Sequence, residues 1–285
     1  MNVITTGSDL REILKQSPRP CILVPTMGAF HPGHISLMHR AREIAGPTGT
    51  VVVSIFVNPI QFDRATDLAA YPKPIISDLA TCQSAGVDLV FNPTGDAMYF
   101  PDRSVTVTET QLSRGLCGAS RPGHFDGVCT VVLKLFLLTH CDLAIFGQKD
   151  FQQLAIIRRM VRDLDLPVKI LSCPTTREPD GLAMSSRNTR LTQAQRVDAA
   201  CIRQALLAAE KLTIPAEILA AARLVLEKSP LAQIDYLTLV DAENLQPVTH
   251  LEQPSILAVA VHYGDVRLID HLIIPASNKA LSTEF

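Results

Sequence analysis

The chain has 285 residues, 47% of them hydrophobic, with 26 Lys and Arg against 28 Asp and Glu for a formal net charge of −2. That length buries a sizeable core, most naturally as two domains. The balanced charge excludes a general electrostatic attraction for nucleic acid or an anionic membrane, so any phosphate site must be local.

Seven cysteines (Cys21, Cys82, Cys117, Cys129, Cys141, Cys173 and Cys201) make an odd count with no C-x-x-C pair, which argues for reduced, buried thiols and against a disulfide framework or a zinc site. Met1 to Ser17 contains Asp9, Arg11, Glu12 and Lys15 and lacks the apolar stretch of a signal peptide. Val128 to Cys141 is interrupted by Lys134 and His140, so no run reaches membrane-span length. A cytoplasmic protein that engages neither membrane nor nucleic acid is expected.

In chain order, apolar runs at Cys21 to Val24, Thr50 to Val57, Val87 to Phe91, Asp142 to Phe146 and Val168 to Leu171 alternate with helical patterns, among them Leu68 to Ala85 and Phe151 to Leu164. Alternation of this kind predicts a Rossmann-like α/β fold, a parallel sheet with helices on both faces. The turn-rich segment Pro174 to Gly181 then marks a boundary or an exposed functional loop. Beyond it, Thr192 to Gln195 reads as a capping box opening a helix to about Lys211, and a second helix runs from Pro215 to Lys228. Strands at Asp235 to Val240, Ile256 to His262 and Val266 to Ile274 follow, the last two joined by Gly264-Asp265. The expected division is a Rossmann-like domain over residues 1–175 and a smaller C-terminal α+β domain over 176–285.

Three stretches lie where a strand gives way to a helix or loop, a fourth is a glycine-containing loop, and a fifth follows the turn-rich segment. In Val24-Pro25-Thr26-Met27-Gly28-Ala29-Phe30-His31-Pro32-Gly33-His34, the histidines open a helix announced by Ile35, Met38, Ala41 and Ile44. Unpaired backbone N–H groups and the positive end of the helix dipole favour anions there, and an imidazole suits charge developing on an α-phosphoryl group. The plainer alternative is that His31 and His34 only cap the helix. Gln61, in Phe56-Val57-Asn58-Pro59-Ile60-Gln61-Phe62, is a neutral group suited to a hydroxylated or carboxylated small molecule. Arg121 and His124 bring titratable character to another glycine-containing loop. In Phe146-Gly147-Gln148-Lys149-Asp150-Phe151-Gln152-Gln153, Lys149 would meet phosphate oxygens and Gln153 would present an amide one turn later, at the sheet edge where ligands bind. In Met184-Ser185-Ser186-Arg187-Asn188, two hydroxyls and a guanidinium in series match a phosphate chain; the alternative is an ordinary polar turn.

Together these stretches, with Ser120-Arg121-Pro122-Gly123-His124-Phe125-Asp126-Gly127-Val128, resemble the pantothenate synthetases in order and spacing over nearly the whole chain. The resemblance implies ATP-dependent condensation of pantoate with β-alanine, with Mg²⁺, in a homodimer, in a superfamily shared with nucleotidyltransferases and class I aminoacyl-tRNA synthetases. It implies that Met27, Gly28, Ala29, Phe30, His31, Pro32, Gly33 and His34 line the ATP site, with His34 catalytic and His31 its phosphate-binding partner. Gly147, Gln148, Lys149 and Asp150 would hold the nucleotide, with Lys149 on its phosphates. Gln61 and Gln153 would grip pantoate; Met184, Ser185, Ser186 and Arg187 would form a second phosphate clamp; Thr176 would touch the nucleotide. The C-terminal domain, with Arg267, would cover the nucleotide. Asp63 and Arg64 stand where the family often has Gly-Pro, Lys73 where arginine is usual, Cys117 where glutamate is common, and Asp126 where the residue is often basic or small. The metal ligands stay unassigned, Asp78 and Asp150 being candidates. A nucleotidyltransferase of the same superfamily and a non-catalytic nucleotide-binding regulator remain the alternatives.

Overall fold

All five apolar runs ahead of the turn-rich segment become strands of one parallel sheet in the computed structural model of the chain, which describes residues 1–276. In order come β1 (Asn2–Ile4), α1 (Gly7–Gln16), β2 (Cys21–Thr26), α2 (Pro32–Ala45), β3 (Thr50–Ile55), α3 (Ala65–Ala69), α4 (Ile75–Ser84) and β4 (Leu89–Phe91). They are followed by α5 (Gly95–Met98), α6 (Cys117–Ser120), α7 (His124–Thr139), β5 (Leu143–Gly147), α8 (Phe151–Asp163) and β6 (Lys169–Cys173). The strand order is β1-β4-β3-β2-β5-β6, every pairing parallel.

Residues Cys21, Ile22, Leu23 and Val24 of β2 are all fully buried, and because neighbouring side chains on a strand point to opposite faces, both faces of the sheet are covered. Ile22 and Val24 join Leu37, Met38 and Ala41 of α2 and Cys82 of α4 in one cluster; α7 packs on β2 and on α1. The expected α/β class with helices on both faces is the fold observed.

The rest is α9 (Gln193–Asp198), α10 (Cys201–Ala209), α11 (Pro215–Leu226) and an antiparallel sheet of β7 (Gln233–Asp241), β8 (Ser255–Tyr263) and β9 (Val266–Ile274) in that order. Ile202, Leu206, Ile218 and Leu226 pack with Leu257, Val259 and Val261 of the buried central strand. The capping box at Thr192 forms as expected: its hydroxyl accepts from Gln195 N–H and the Gln195 side chain accepts from Thr192 N–H.

Three details depart from expectation. The helical pattern from Leu68 to Ala85 is broken into α3 and α4 because Pro72 and Pro74 cannot continue a helix. The helix expected from Thr192 to Lys211 is interrupted after Asp198. The short edge strand β1 was not anticipated.

By chain proximity the described chain forms two units, one of Met1–Thr110, Ser120–Gln148 and Gln153–Pro174, the other of Gln111–Ala119, Lys149–Gln152 and the chain from Thr175 on. The main cut thus lies next to residue 175, while residues 111–119 and 149–152 group with the second unit. No helix among the described residues is long and apolar enough to cross a membrane.

Candidate active site

In the first unit, β2 ends in a turn held by groups distant in sequence. The Thr26 hydroxyl donates to Ser54 O at 2.5 Å and accepts from Gly28 N–H at 3.3 Å. Gly28 (φ 80°) and Ala29 (φ 54°) are both left-handed, a conformation costly for a residue with a Cβ. Asp78 of α4 offsets that cost: its Oδ2 accepts from Ala29 N–H at 2.8 Å and its Oδ1 from Phe30 N–H at 3.0 Å. A Cβ on residue 28 would stand 2.8 Å from Asp78 Oδ2, so the turn needs glycine there.

The turn delivers His31 to the N-cap of α2, with Pro32 at the first helical position. His31 Nδ1 accepts from Gly33 N–H at 3.1 Å, and His34 Nδ1 accepts from His31 N–H at 3.4 Å. The capping alternative is therefore real, and it has a chemical consequence. With each Nδ1 accepting, each neutral ring carries its proton on Nε2. The two rings lie 4.1 Å apart between centroids.

Gln61, 9% exposed, ends a 3₁₀ turn (Pro59–Gln61) after β3. Its Oε1 accepts from Asn58 Nδ2 at 2.9 Å, and its Nε2 donates to Met27 Sδ at 3.4 Å. Its backbone oxygen accepts from His124 Nδ1 at 2.7 Å and Arg121 Nη2 at 3.3 Å. Gly127 of α7 comes so close that a Cβ there would lie 2.7 Å from the Gln61 backbone. Arg121 also binds Asp63 Oδ1 through Nε at 2.9 Å. Burial pushes the Asp63 carboxyl up, but the hydrogen bond and charge of Arg121 hold it below the ordinary range. In the same unit Gln148 donates to Ser172 Oγ at 3.2 Å, and Gly147 and Gln153 are half-buried.

The second unit contains the other basic and hydroxyl candidates. Lys149 and Asp150 share a short 3₁₀ turn, Nζ to Oδ1 3.5 Å. Next to them Gln152, not Gln153, is the structural amide: it accepts from Cys117 N–H at 3.0 Å and donates to the carbonyls of Leu112 and Gly115, both at 2.8 Å. Residues 176–184 fold back on themselves, with Met184 N–H on Thr176 O at 2.9 Å. Arg177 grips the buried Asp270 of β9 through two bonds, 2.6 and 3.0 Å, and Gly181 O at 3.0 Å. Ser185 caps a 3₁₀ turn (Ser186–Arg190), its Oγ accepting from Arg187 N–H at 3.2 Å. Asn188 donates to Ala183 O at 3.1 Å, and its Oδ1 is buried with no hydrogen-bond partner.

Of the departures, Cys117 meets Arg267, whose Nη1 lies 3.3 Å from Sγ while Nε and Nη2 bind Asp235 at 3.0 and 2.7 Å. Asp126 falls in the first turn of α7, where a carboxylate suits the helix dipole. Both oxygens of Asp78 serve the turn. Among the described residues no group of three or more His, Cys, Asp or Glu could hold a metal ion. Asn58, Arg177 and Asp270 were not singled out from the sequence; Asn58 had a signal there in its place in the stretch before Gln61, Arg177 in the turn-rich segment, and Asp270 had none.

A family model described as pantoate-beta-alanine ligase matches residues 2–273. Pantothenate synthetase of Akkermansia muciniphila is 50% identical over 279 residues, covering 95% of this chain and 99% of that one. Its counterpart in Desulfovibrio desulfuricans is 51% identical over 260 residues, covering 88% and 90%. The crystal structure of pantothenate synthetase from Thermus thermophilus superposes with a TM-score of 0.90 at 42% identity, over 95% of this chain and 99% of that one. Pantoate-beta-alanine ligase from Francisella tularensis, complexed with beta-gamma ATP and beta-alanine, gives 0.80 at 32% identity, over 96% and 97%.

Proposed function

The chain belongs to the pantoate-beta-alanine ligase family, whose reaction is the ATP-dependent condensation of pantoate with β-alanine, and we propose that its own residues carry that reaction through a pantoyl adenylate. A carboxylate is a poor acyl donor because its charge repels nucleophiles and its leaving group would be oxide. Adenylation removes both obstacles. A pantoate carboxylate oxygen bonds to the α-phosphorus of ATP as the bond to pyrophosphate breaks. The neutral amine of β-alanine then bonds to the acyl carbon, the bond to AMP breaks, and the nitrogen loses a proton.

The observation that carries this assignment is the pair of helix-start imidazoles, each with Nδ1 engaged by backbone N–H and its proton on Nε2. Such a ring is a fixed donor for charge growing on an α-phosphoryl group. His34 and His31 take this role in the first unit, with Met27, Gly28, Ala29, Phe30, Pro32 and Gly33 shaping the nucleotide site and Gly147 and Gln148 bordering it. Lys149 contributes a point charge to the phosphates, with Asp150 beside it. Ser185, Ser186 and Arg187 hold the departing pyrophosphate, Met184 and Thr176 touch the nucleotide, and Gln61 and Gln153 hold pantoate. Mg²⁺ would arrive with the ATP phosphates and neutralise part of their charge. The active form is a homodimer in the cytoplasm.

The test is isotope exchange between pyrophosphate and ATP without β-alanine. Exchange that requires pantoate supports the adenylate; AMP formed only when pantoate and β-alanine are both present, with no exchange beforehand, would replace it with a concerted route.

A further inference from the structure

Gln61 is one end of a hydrogen-bond chain with a single consistent direction. Asn58 Nδ2 lies 3.1 Å from Gly127 O, which can only accept, so that atom of Asn58 is the amide nitrogen. Its second N–H reaches the Gln61 side chain at 2.9 Å and therefore meets the Gln61 oxygen. The Asn58 oxygen faces Tyr99 Oη at 2.8 Å, so the phenol must donate. Burial pushes the Tyr99 phenol well above its ordinary range, against the opposing charge of Arg103, which keeps the proton in place at any working pH. Arg103 and Lys134 both stand over the ring, 5.4 and 5.6 Å from its centroid.

At the other end of the chain the Gln61 amide nitrogen is turned to Met27 Sδ at 3.4 Å, a weak acceptor that a carboxylate or hydroxyl oxygen would readily displace. A buried amide whose donor face is spent on sulfur is an underused donor in a confined place. A flip of either amide would set two donors or two acceptors against each other, so the orientation of Gln61 follows that of Asn58, which the Gly127 carbonyl sets and the Tyr99 hydroxyl holds from the other side.

We propose that Tyr99 is a positioning residue for the reaction: through Asn58 it holds Gln61 with N–H₂ outward, so that the enzyme selects an acceptor oxygen on its hydroxy-acid substrate. This rests on the assignment of Gln61 to pantoate. Tyr99→Phe keeps the ring and its two cations and removes only the donor.

The experiment is steady-state kinetics of the full chain and of Tyr99→Phe, Asn58→Ala, Gln61→Ala and Tyr99→Phe/Asn58→Ala, with KM for pantoate and for ATP measured separately and thermal midpoints recorded. Tyr99→Phe is expected to raise the pantoate KM about 10-fold with the ATP KM and midpoint unchanged, and to add nothing further in the Asn58→Ala background. Equal rises in both KM values, or full additivity with Asn58→Ala, would overturn the proposal as a merely structural effect. A normal pantoate KM in Tyr99→Phe alongside a raised one in Gln61→Ala would overturn the relay alone. A normal pantoate KM in Gln61→Ala would overturn the assignment of Gln61 and the relay with it.

Discussion

Asp78 and Ala29 are 49 positions apart in the chain and 2.8 Å apart across a hydrogen bond, carboxylate to backbone amide, with the Phe30 amide bound at 3.0 Å by the same side chain. This contact makes a left-handed alanine tolerable just before the two histidines. Asp78→Ala should leave two N–H groups without acceptors and destabilise the chain by about 3 kcal/mol, lowering pantoate-dependent pyrophosphate release as well. Asp78→Asn, with one acceptor left, should be milder in both respects. Urea unfolding and exchange kinetics on the same samples read the two effects. Gly28→Ala should resemble Asp78→Ala, because the new Cβ drives the carboxylate off the turn while also straining φ.

The positions of the strands and most helices were legible in the sequence because burial on both faces of a parallel sheet writes continuous apolar runs such as Val51-Val52-Val53. The edge strand β1 was not, since Asn2 and Val3 are exposed and only Ile4 is buried. The helical period across Leu68 to Ala85 outlasted the helix itself, and Pro72 and Pro74 were the signal to weigh against it. For the site, the histidines, Gln61 and Lys149 stood at strand ends where local pattern points. What local pattern cannot carry is pairing at long range: Asp78 with the turn, Tyr99 with Asn58, Arg177 with Asp270, each separated by more than 40 residues.

Loss of a donor to the transferring phosphoryl group should appear in chemistry and not in folding. His34→Ala and Lys149→Ala are each expected to reduce pantoate-dependent exchange on the order of 100-fold. Far-ultraviolet circular dichroism should be unchanged, since α2 retains its His31 cap and Pro32. Near-normal exchange in either variant removes that residue from the mechanism.

Arg177 and Asp270 are a buried pair in which the carboxylate is 2% exposed. Removing one partner strands the other, so Asp270→Ala should cost about 3 to 5 kcal/mol and loosen residues 176–184, which Arg177 also holds through Gly181 O. Urea unfolding measures the first effect. Limited trypsin digestion measures the second, through faster cleavage after Arg177 than in the unaltered chain.

His271, next along β9, is buried with its ring against Phe151, centroids 5.3 Å apart. Burial pushes its imidazole below the ordinary value; Asp270 and Asp150 oppose that shift, while Arg177 and Lys149 reinforce it. The native ring is therefore neutral at a pH where the unfolded chain already takes up a proton. Below the unfolded value of about 6.5 the unfolded state binds more protons than the native one, so stability falls with falling pH until the folded value is passed, and is fully present above about 6.5. His271→Gln removes this proton uptake. Urea unfolding between pH 5 and 8 should show the unaltered chain losing more stability toward pH 5 than His271→Gln does; parallel curves would mean that the native ring takes its proton as readily as the unfolded one.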